Sequence, residues 1–206
     1  MDRSRLEAFS DGVFAVAITL LALNLTVPGG PHLSNQLHEK LPAFAGYLVS
    51  FLTIGIIWVN HHVLVRQITK VDRTLLFVNM MLLLFVVLIP FGTATEADYL
   101  PANSADAQLA MVLYAGIFLG MSVGFSAIFE WTLHGQRVAS PLPPEQHWAA
   151  RRRFAGGGLV YAAAMVIAAF NALAAFVLTG LVAVYYIFER TPAAPGSPDG
   201  DEEPVV

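Results

Sequence analysis

Residues 5–23 read RLEAFSDGVFAVAITLLAL, so an arginine, a serine and an aspartate stand at the start of a run that is otherwise built for lipid. An ionisable group inside a hydrocarbon-length helix is costly unless a partner or water meets it, so such groups usually face a bundle interior or an aqueous path. The segment therefore predicts a membrane helix with a polar site in its first turns. The acidic residues Glu7 and Asp11 precede the apolar run, and no small-x-small cleavage pattern follows it, so we expect a retained span and not a signal peptide.

The composition of the whole chain agrees with a membrane protein. Apolar residues make up 56% of the chain and charged residues 13%, and the mean hydropathy is +0.63. These values are typical of an all-α integral membrane protein. The chain has no cysteine, which excludes disulfides, thiolate metal sites and a cysteine nucleophile. The net charge of −4 comes from four acidic residues near the C-terminus, and it therefore says little about partners.

The number of membrane spans follows from the length of each apolar run. A helix needs roughly 20 apolar residues to cross the hydrocarbon core. The first four runs predict helices over residues 4–27, 41–65, 73–95 and 105–133. The run 154–188 is too long for one ordinary span, so we expect it to divide near Phe170-Asn171-Ala172. The chain is thus predicted to hold six helices in a domain of residues 1–190, with Ser4-x-x-Glu7 as a possible capping box of the first helix.

The basic residues predict the orientation of these helices. With six spans, ten of the 11 lysines and arginines fall on one side of the membrane, and only Lys40 falls on the other. Cytoplasmic loops carry such an excess of basic residues. We therefore expect both termini to be cytoplasmic, with Glu96, Asp98 and Asp106 in an acidic external loop. Residues 191–206, rich in proline, glycine and acids, are typical of a disordered cytoplasmic tail.

Polar residues of the first two predicted spans lie at matching depth. Asp11 is one to two turns inside helix one, and Trp58, Asn60, His61 and His62 lie near the same end of antiparallel helix two. These groups can satisfy one another by hydrogen bonds between helices, which favours a structural network; proton sensing is the alternative. A metal site has less support, because adjacent histidines diverge by about 100° on a helix and cannot bind one ion as an i, i+4 pair does.

A stripe along helix one carries a single hydroxyl. Gly12, Val16, Thr19 and Leu23 share this stripe, and Leu20 lies at its edge. A lone membrane threonine either bonds back to its own helix, packs between helices or faces a pore. The pattern alone does not choose among these. On the fourth span, Gly116-x-x-x-Gly120-x-x-x-Gly124 predicts close packing against another helix.

Two motifs resemble one known family. Arg5-x-x-x-Phe9-Ser10-Asp11, followed by the apolar residues 12–21, resembles the prokaryotic branch of the transmembrane-protein-175 family, the lysosomal potassium channels. Trp58-x-Asn60-His61-His62 in the second span is also similar to that family. The resemblance implies a tetramer of six-helix subunits in which helix one lines a central pore. Animal members carry two such repeats and dimerise, whereas this sequence carries the motif once, so four chains would be needed.

The resemblance also implies roles for individual residues. The family's bulky aliphatic constriction falls on Val16, where other members commonly place isoleucine or leucine. Its selectivity-linked threonine falls on Thr19, beside which potassium would bind transiently, and further apolar layers fall on Leu20 and Leu23. The polar motif residues are expected to hold helix one in register; they are Arg5, Phe9, Ser10, Asp11, Trp58, Asn60, His61 and His62.

The sequence therefore predicts a modestly selective, potassium-permeable channel in the cell membrane. A proton-coupled transporter using Asp11 and the helix-two histidines is the alternative, but transporters of this kind usually show broken helices with midplane polar groups. A membrane enzyme has less support, because the third, fifth and sixth spans offer almost no acid or histidine. The expected partners are monovalent cations, lipid and further copies of the chain. We expect no cofactor, no tightly bound metal and no nucleic acid partner.

Overall fold

The computed structural model describes residues 2–188 except 28, 30, 103, 135, 136 and 138–143. Within that part the regular elements are helical. They are α1 (Arg3–Ala22), α2 (Leu33–Glu39), α3 (Leu41–Gln67), α4 (Arg73–Tyr99), a 3-10 turn (Leu100–Ala102), α5 (Ala105–Leu133), α6 (Pro144–Ala168) and α7 (Ala172–Phe188). The predicted tail over residues 191–206 lies outside the described residues, and the domain division at residue 190 stays a prediction.

Most predicted helix boundaries agree with these elements. The predicted break at residues 170–172 separates α6 from α7, and the Asn171 side chain caps α7 by accepting a hydrogen bond from the amide of Ala174 at 2.9 Å. The first helix is shorter than predicted, because the amides of Leu23 and Asn24 bond three residues back and close a turn after Ala22. The short helix α2 was not predicted.

The predicted capping box of α1 is wrong. Asp2 is the N-cap residue and makes no side-chain capping bond, and Ser4 lies inside the helix. The carboxylate of Glu7 instead points to α3, where its Oε1 lies 3.1 Å from His62 Nδ1. A tertiary contact thus replaces the local contact that the sequence pattern suggested.

Among the helices that the structure describes, three are long and apolar enough to cross a membrane. They are α3, α4 with its 3-10 extension, and α5. The apolar parts of α6 and α7 are shorter, Ala155–Ala168 and Ala172–Ile187, and the first turns of α1 are charged. The all-helical membrane architecture is therefore confirmed, whereas the count of six spans stays a prediction.

The glycine ridge of α5 packs where the sequence predicted close contact. A Cβ atom on Gly124 would lie 2.9 Å from the Leu82 Cα of α4. The ring of Phe85 covers Gly120 in the same way, and Gly116 faces Met165 of α6. The missing side chains let the backbones of α4 and α5 approach closely, as small residues do in membrane helix packing.

The close contact at Gly124 predicts that a glycine-to-alanine substitution lowers thermal stability there and not at a glycine with open space around it. Gly124→Ala should lower the midpoint of thermal unfolding, because the added methyl meets backbone, which cannot move aside; overpacking of this kind costs about 1–3 kcal/mol. Gly156→Ala on α6 is the matched control, since nothing lies within 4 Å of its added Cβ. Heating in detergent followed by size-exclusion chromatography measures both. Equal midpoints would contradict the close packing at Gly124.

The basic connections gather at one end of the bundle. Arg3 Nη1 donates to the Arg66 carbonyl at 2.8 Å, which joins the start of α1 to the end of α3. Arg151 donates to both carboxylate oxygens of Glu130 at 2.7 Å each. Arg137 adds a contact between its guanidinium and the Trp131 ring, 4.5 Å from the centroid. We call this the basic end; its predicted cytoplasmic placement remains a prediction.

At the opposite end of the bundle, the position of Glu96 differs from the prediction. The sequence predicts Glu96 in an acidic external loop, but α4 continues past residue 95 to Tyr99, and Glu96 is fully buried within it. Its Oε2 occupies the space beside Gly46 of α3, where a Cβ would approach it to 2.7 Å. Nearby, the Ser50 hydroxyl contacts those of Thr93 at 2.6 Å and Tyr114 at 2.8 Å. The helix reaches further than its apolar run because the absence of a side chain at Gly46 leaves room for the Glu96 carboxylate.

Candidate functional site

Helix α1 has one buried face and one exposed face. The buried stripe is Leu6, Ser10, Phe14, Ala17 and Leu21, at the i, i+3 and i, i+4 spacing of one helical face. The opposite stripe is exposed within the described part of the chain. Its exposed residues are Arg5, Phe9, Gly12, Ala15, Val16, Thr19, Leu20 and Leu23.

A chain of buried hydrogen bonds ties α1 to α3 and α4. His61 Nε2 lies 2.7 Å from the Asn79 amide oxygen, and the Asn79 amide nitrogen donates to the Ser10 hydroxyl at 3.0 Å. Ser10 in turn donates to the Leu6 carbonyl at 2.9 Å. Because an amide oxygen only accepts, the His61 proton is assigned to Nε2. Each donor therefore points to the next group in the chain, from His61 on α3 through Asn79 on α4 to Ser10 on α1.

A second polar group lies on the side of α1 that faces α3. The Trp58 indole donates to Asp11 Oδ1 at 2.9 Å. One turn further along α3, His62 Nδ1 lies 3.1 Å from Glu7 Oε1. The two adjacent histidines thus serve different partners, since His61 contacts α4 and His62 contacts α1. This divergence is the consequence of the 100° step between neighbouring helical residues.

The other motif residues lie outside these two groups. Arg5 is exposed, and Phe9 is 54% exposed on the free face of α1. Asn60 is half-buried and lines a cavity between α3 and the later helices, together with Thr53 and Ser126. The two groups therefore contain five of the eight predicted motif residues, and Arg5, Phe9 and Asn60 lie outside them.

Two members of these contacts were not predicted. Asn79 is the only amide in an otherwise apolar stretch of α4, and a lone membrane amide requires a partner. The sequence pattern predicts Glu7 only as a local capping group. Its separation of four residues from Asp11 could have shown that both carboxylates share one face of α1.

The hydroxyl of Thr19 bonds back to its own helix. Oγ1 donates to the Val16 carbonyl at 2.8 Å, and the residue is exposed on the free face. Val16 is 55% exposed, Leu20 37% and Leu23 68%. Three large apolar side chains and one threonine thus form the outer half of a face that the single chain leaves uncovered.

The chain is similar to known proteins in both sequence and structure. The family profile described as endosomal/lysosomal potassium channel TMEM175 matches residues 5–90. A potassium channel of Streptomyces collinus is 39% identical over 195 residues, which cover 93% of this chain and 94% of that protein. A potassium channel of Chamaesiphon minutus is 37% identical over 142 residues, 66% of this chain and 69% of that protein.

A solved structure has the same fold. The crystal structure of a lysosomal potassium-selective channel TMEM175 homolog from Chamaesiphon minutus superimposes with a TM-score of 0.80. It is 30% identical, and the match covers 90% of this chain and 96% of that one. A bundle of apolar helices with this fold and these relatives defines a membrane ion channel. The chain belongs to the TMEM175 family.

Proposed function

We propose that this chain forms a homotetrameric, potassium-permeable cation channel whose pore is lined by α1 from four subunits. The observation that carries the proposal is the uncovered face of α1, with Val16, Thr19, Leu20 and Leu23 on it. One helix cannot enclose a path for ions, and the motif occurs once in the chain. Four copies related by a closed rotation would bring the free faces together around an axis.

The hydrogen bond of Thr19 supports a role in contacting cations. Its proton is donated to the Val16 carbonyl, so the lone pairs of Oγ1 are directed away from the helix. A ring of four such oxygens can replace part of the hydration shell of a monovalent cation. Potassium is favoured over sodium because its shell is easier to remove. Neutral hydroxyls select modestly, so sodium should also permeate.

The apolar residues on the same face support hydrophobic gating. Rings of Val16 and Leu23 would lie on either side of the threonine ring, with Leu20 beside it. An apolar constriction controls ions by losing its water when it narrows. The contacts of Ser10 and Asp11 lie off this face and would hold the inner half of α1 in position.

The function is tested by reversal potentials. The purified chain in a planar bilayer, under opposed potassium and sodium gradients, should show a reversal potential displaced toward that of potassium but short of it. A current that saturates with an added substrate and depends on a proton gradient would identify the proton-coupled transporter. The relatives are named channels, so the transporter has no support from them.

The tetramer is tested separately by native mass spectrometry. We expect a dominant species of four chains in mild detergent. A monomer or dimer without larger species would contradict a pore built from α1.

Thr19→Ala should reduce the potassium-to-sodium permeability ratio, because it removes four oxygens from the proposed path. The yield of tetramer should be unchanged, since the Thr19 hydroxyl bonds only within its own helix. Thr95→Ala on α4 is the matched control, because Thr95 makes the same kind of bond, to the Phe91 carbonyl at 2.9 Å. An equal ratio in the wild type and Thr19→Ala would place the hydroxyl outside the conduction path.

A further inference from the structure

Glu7, Asp11 and His62 bring metal-binding atoms together at the basic end of the bundle. Each offers one ligand atom, and these atoms lie within 4.8 Å of one another. All three residues are half-buried, so the group is sheltered while remaining open to solvent. The carboxylates come from α1 and the imidazole from α3, so an ion bound here would bridge the two helices.

No arginine or lysine that the structure describes forms an ion pair with Glu7 or Asp11. Within the described residues, His62 is the only basic side chain in ion-pair contact with either carboxylate. Glu7 and Asp11 are four residues apart on one helix, where like charges repel. A cation between them would relieve this repulsion.

A contact around the group resembles the outer shell of a metal site. The Trp58 indole donates to Asp11 Oδ1 at 2.9 Å, which orients the carboxylate and leaves Oδ2 free to bind. Ligating carboxylates in proteins are commonly held by such hydrogen bonds. The Trp58 ring also lies against His62, with centroids 6.1 Å apart.

We propose that Glu7, Asp11 and His62 form a binding site for a divalent transition-metal ion of the zinc class, which joins α1 to α3. One imidazole nitrogen and two carboxylate oxygens suit zinc, whereas magnesium and calcium prefer oxygen ligands alone. In a tetrahedral zinc site the ligand atoms lie about 3.4 Å apart. The most distant pair of ligand atoms, within 4.8 Å of each other, therefore closes by up to about 1.4 Å when the ion binds, and water takes the fourth position.

Binding at this site would restrain α1. Asp11 precedes Val16 by about 7.5 Å along the helix axis, at 1.5 Å per residue. An ion that fixes Glu7 and Asp11 to α3 opposes movement of the inner half of α1. This consequence for ion current rests on the proposed function; the binding of the ion does not.

Calorimetry with zinc on the purified full chain tests the binding. We expect one saturable site per chain in the wild type, with affinity lowered at least tenfold in Glu7→Gln and in His62→Gln. His38→Gln and Glu39→Gln are matched controls, because this adjacent histidine and glutamate are exposed on α2. Both controls should keep wild-type affinity.

A measurement on the wild type alone guards against variants that fail to fold. Zinc should raise the midpoint of thermal unfolding, as a ligand of the folded state does, and magnesium at the same concentration should not. Absence of a saturable zinc site in the wild type, or equal affinity in Glu7→Gln and His62→Gln, would overturn the site and leave an ion pair only.

Currents test the consequence for α1. Zinc added on the side of the basic end should reduce the current at least several-fold in the wild type, relative to the current before addition. In Glu7→Gln it should not. Zinc that binds by calorimetry and leaves the current unchanged would overturn the restraint of α1. A wild-type chain without current would contradict the proposed channel, and calorimetry would still decide the metal site.

Discussion

Val16→Phe should reduce the potassium current at least tenfold in planar bilayers. Val16 is 55% exposed on the free face of α1. In the proposed pore, four valines form a narrow constriction, and four phenyl rings would fill it. Conduction through an apolar constriction depends on its width and on whether water remains in it. Assembly should be unaffected, because Val16 lies outside the buried stripe of α1.

Ile18→Phe is the control on the same helix. Ile18 lies toward α3 and lines an open cleft with Phe51, Gly55 and Val59, so a larger ring can be accommodated there. Single-channel recording measures the conductance of both variants and shows which face of α1 lines the pore. Unchanged conductance in Val16→Phe, or equal loss in both variants, would mean that the free face of α1 does not line the pore.

Asn79→Ala should lower the stability of the fold more than any other change in the polar contacts. Asn79 is 1% exposed and serves two partners. Removing it leaves the His61 Nε2 proton buried without an acceptor, and an unsatisfied buried group costs about 1–3 kcal/mol. The cavity left by the side chain adds to this cost. We expect a lower thermal midpoint and a reduced yield of folded protein.

Asn24→Ala is the matched control. Asn24 donates to the Pro90 carbonyl at 3.2 Å but is exposed, so solvent can replace the lost bond. The midpoints of thermal unfolding of the two variants are compared by heating in detergent followed by size-exclusion chromatography. A midpoint for Asn79→Ala equal to that of Asn24→Ala would show that the chain from His61 to Ser10 contributes little to stability.

The helices and the family could be predicted from the sequence because both depend on local pattern. Apolar runs of membrane length indicate α3, α4 and α5 without knowledge of their neighbours. The break at Asn171 and the glycine ridge of α5 likewise depend on residue type at fixed spacing. The motif from Arg5 to Asp11 identified the family for the same reason.

The partners of the polar side chains were decided only by the tertiary structure. Helical periodicity tells which residues share a face, and it predicted that His61 and His62 would diverge, but it does not tell which helix each face meets. Asn79 and Glu7 therefore appeared as partners only when α4 and α1 were placed against α3. Glu96 is the clearest case, because its burial depends on Gly46, a residue distant in sequence that leaves room for a carboxylate. Local pattern thus determined the helices and the family of this protein, whereas the packing of one helix on another decided which polar groups meet, since a hydrogen bond between helices requires two faces to be in contact.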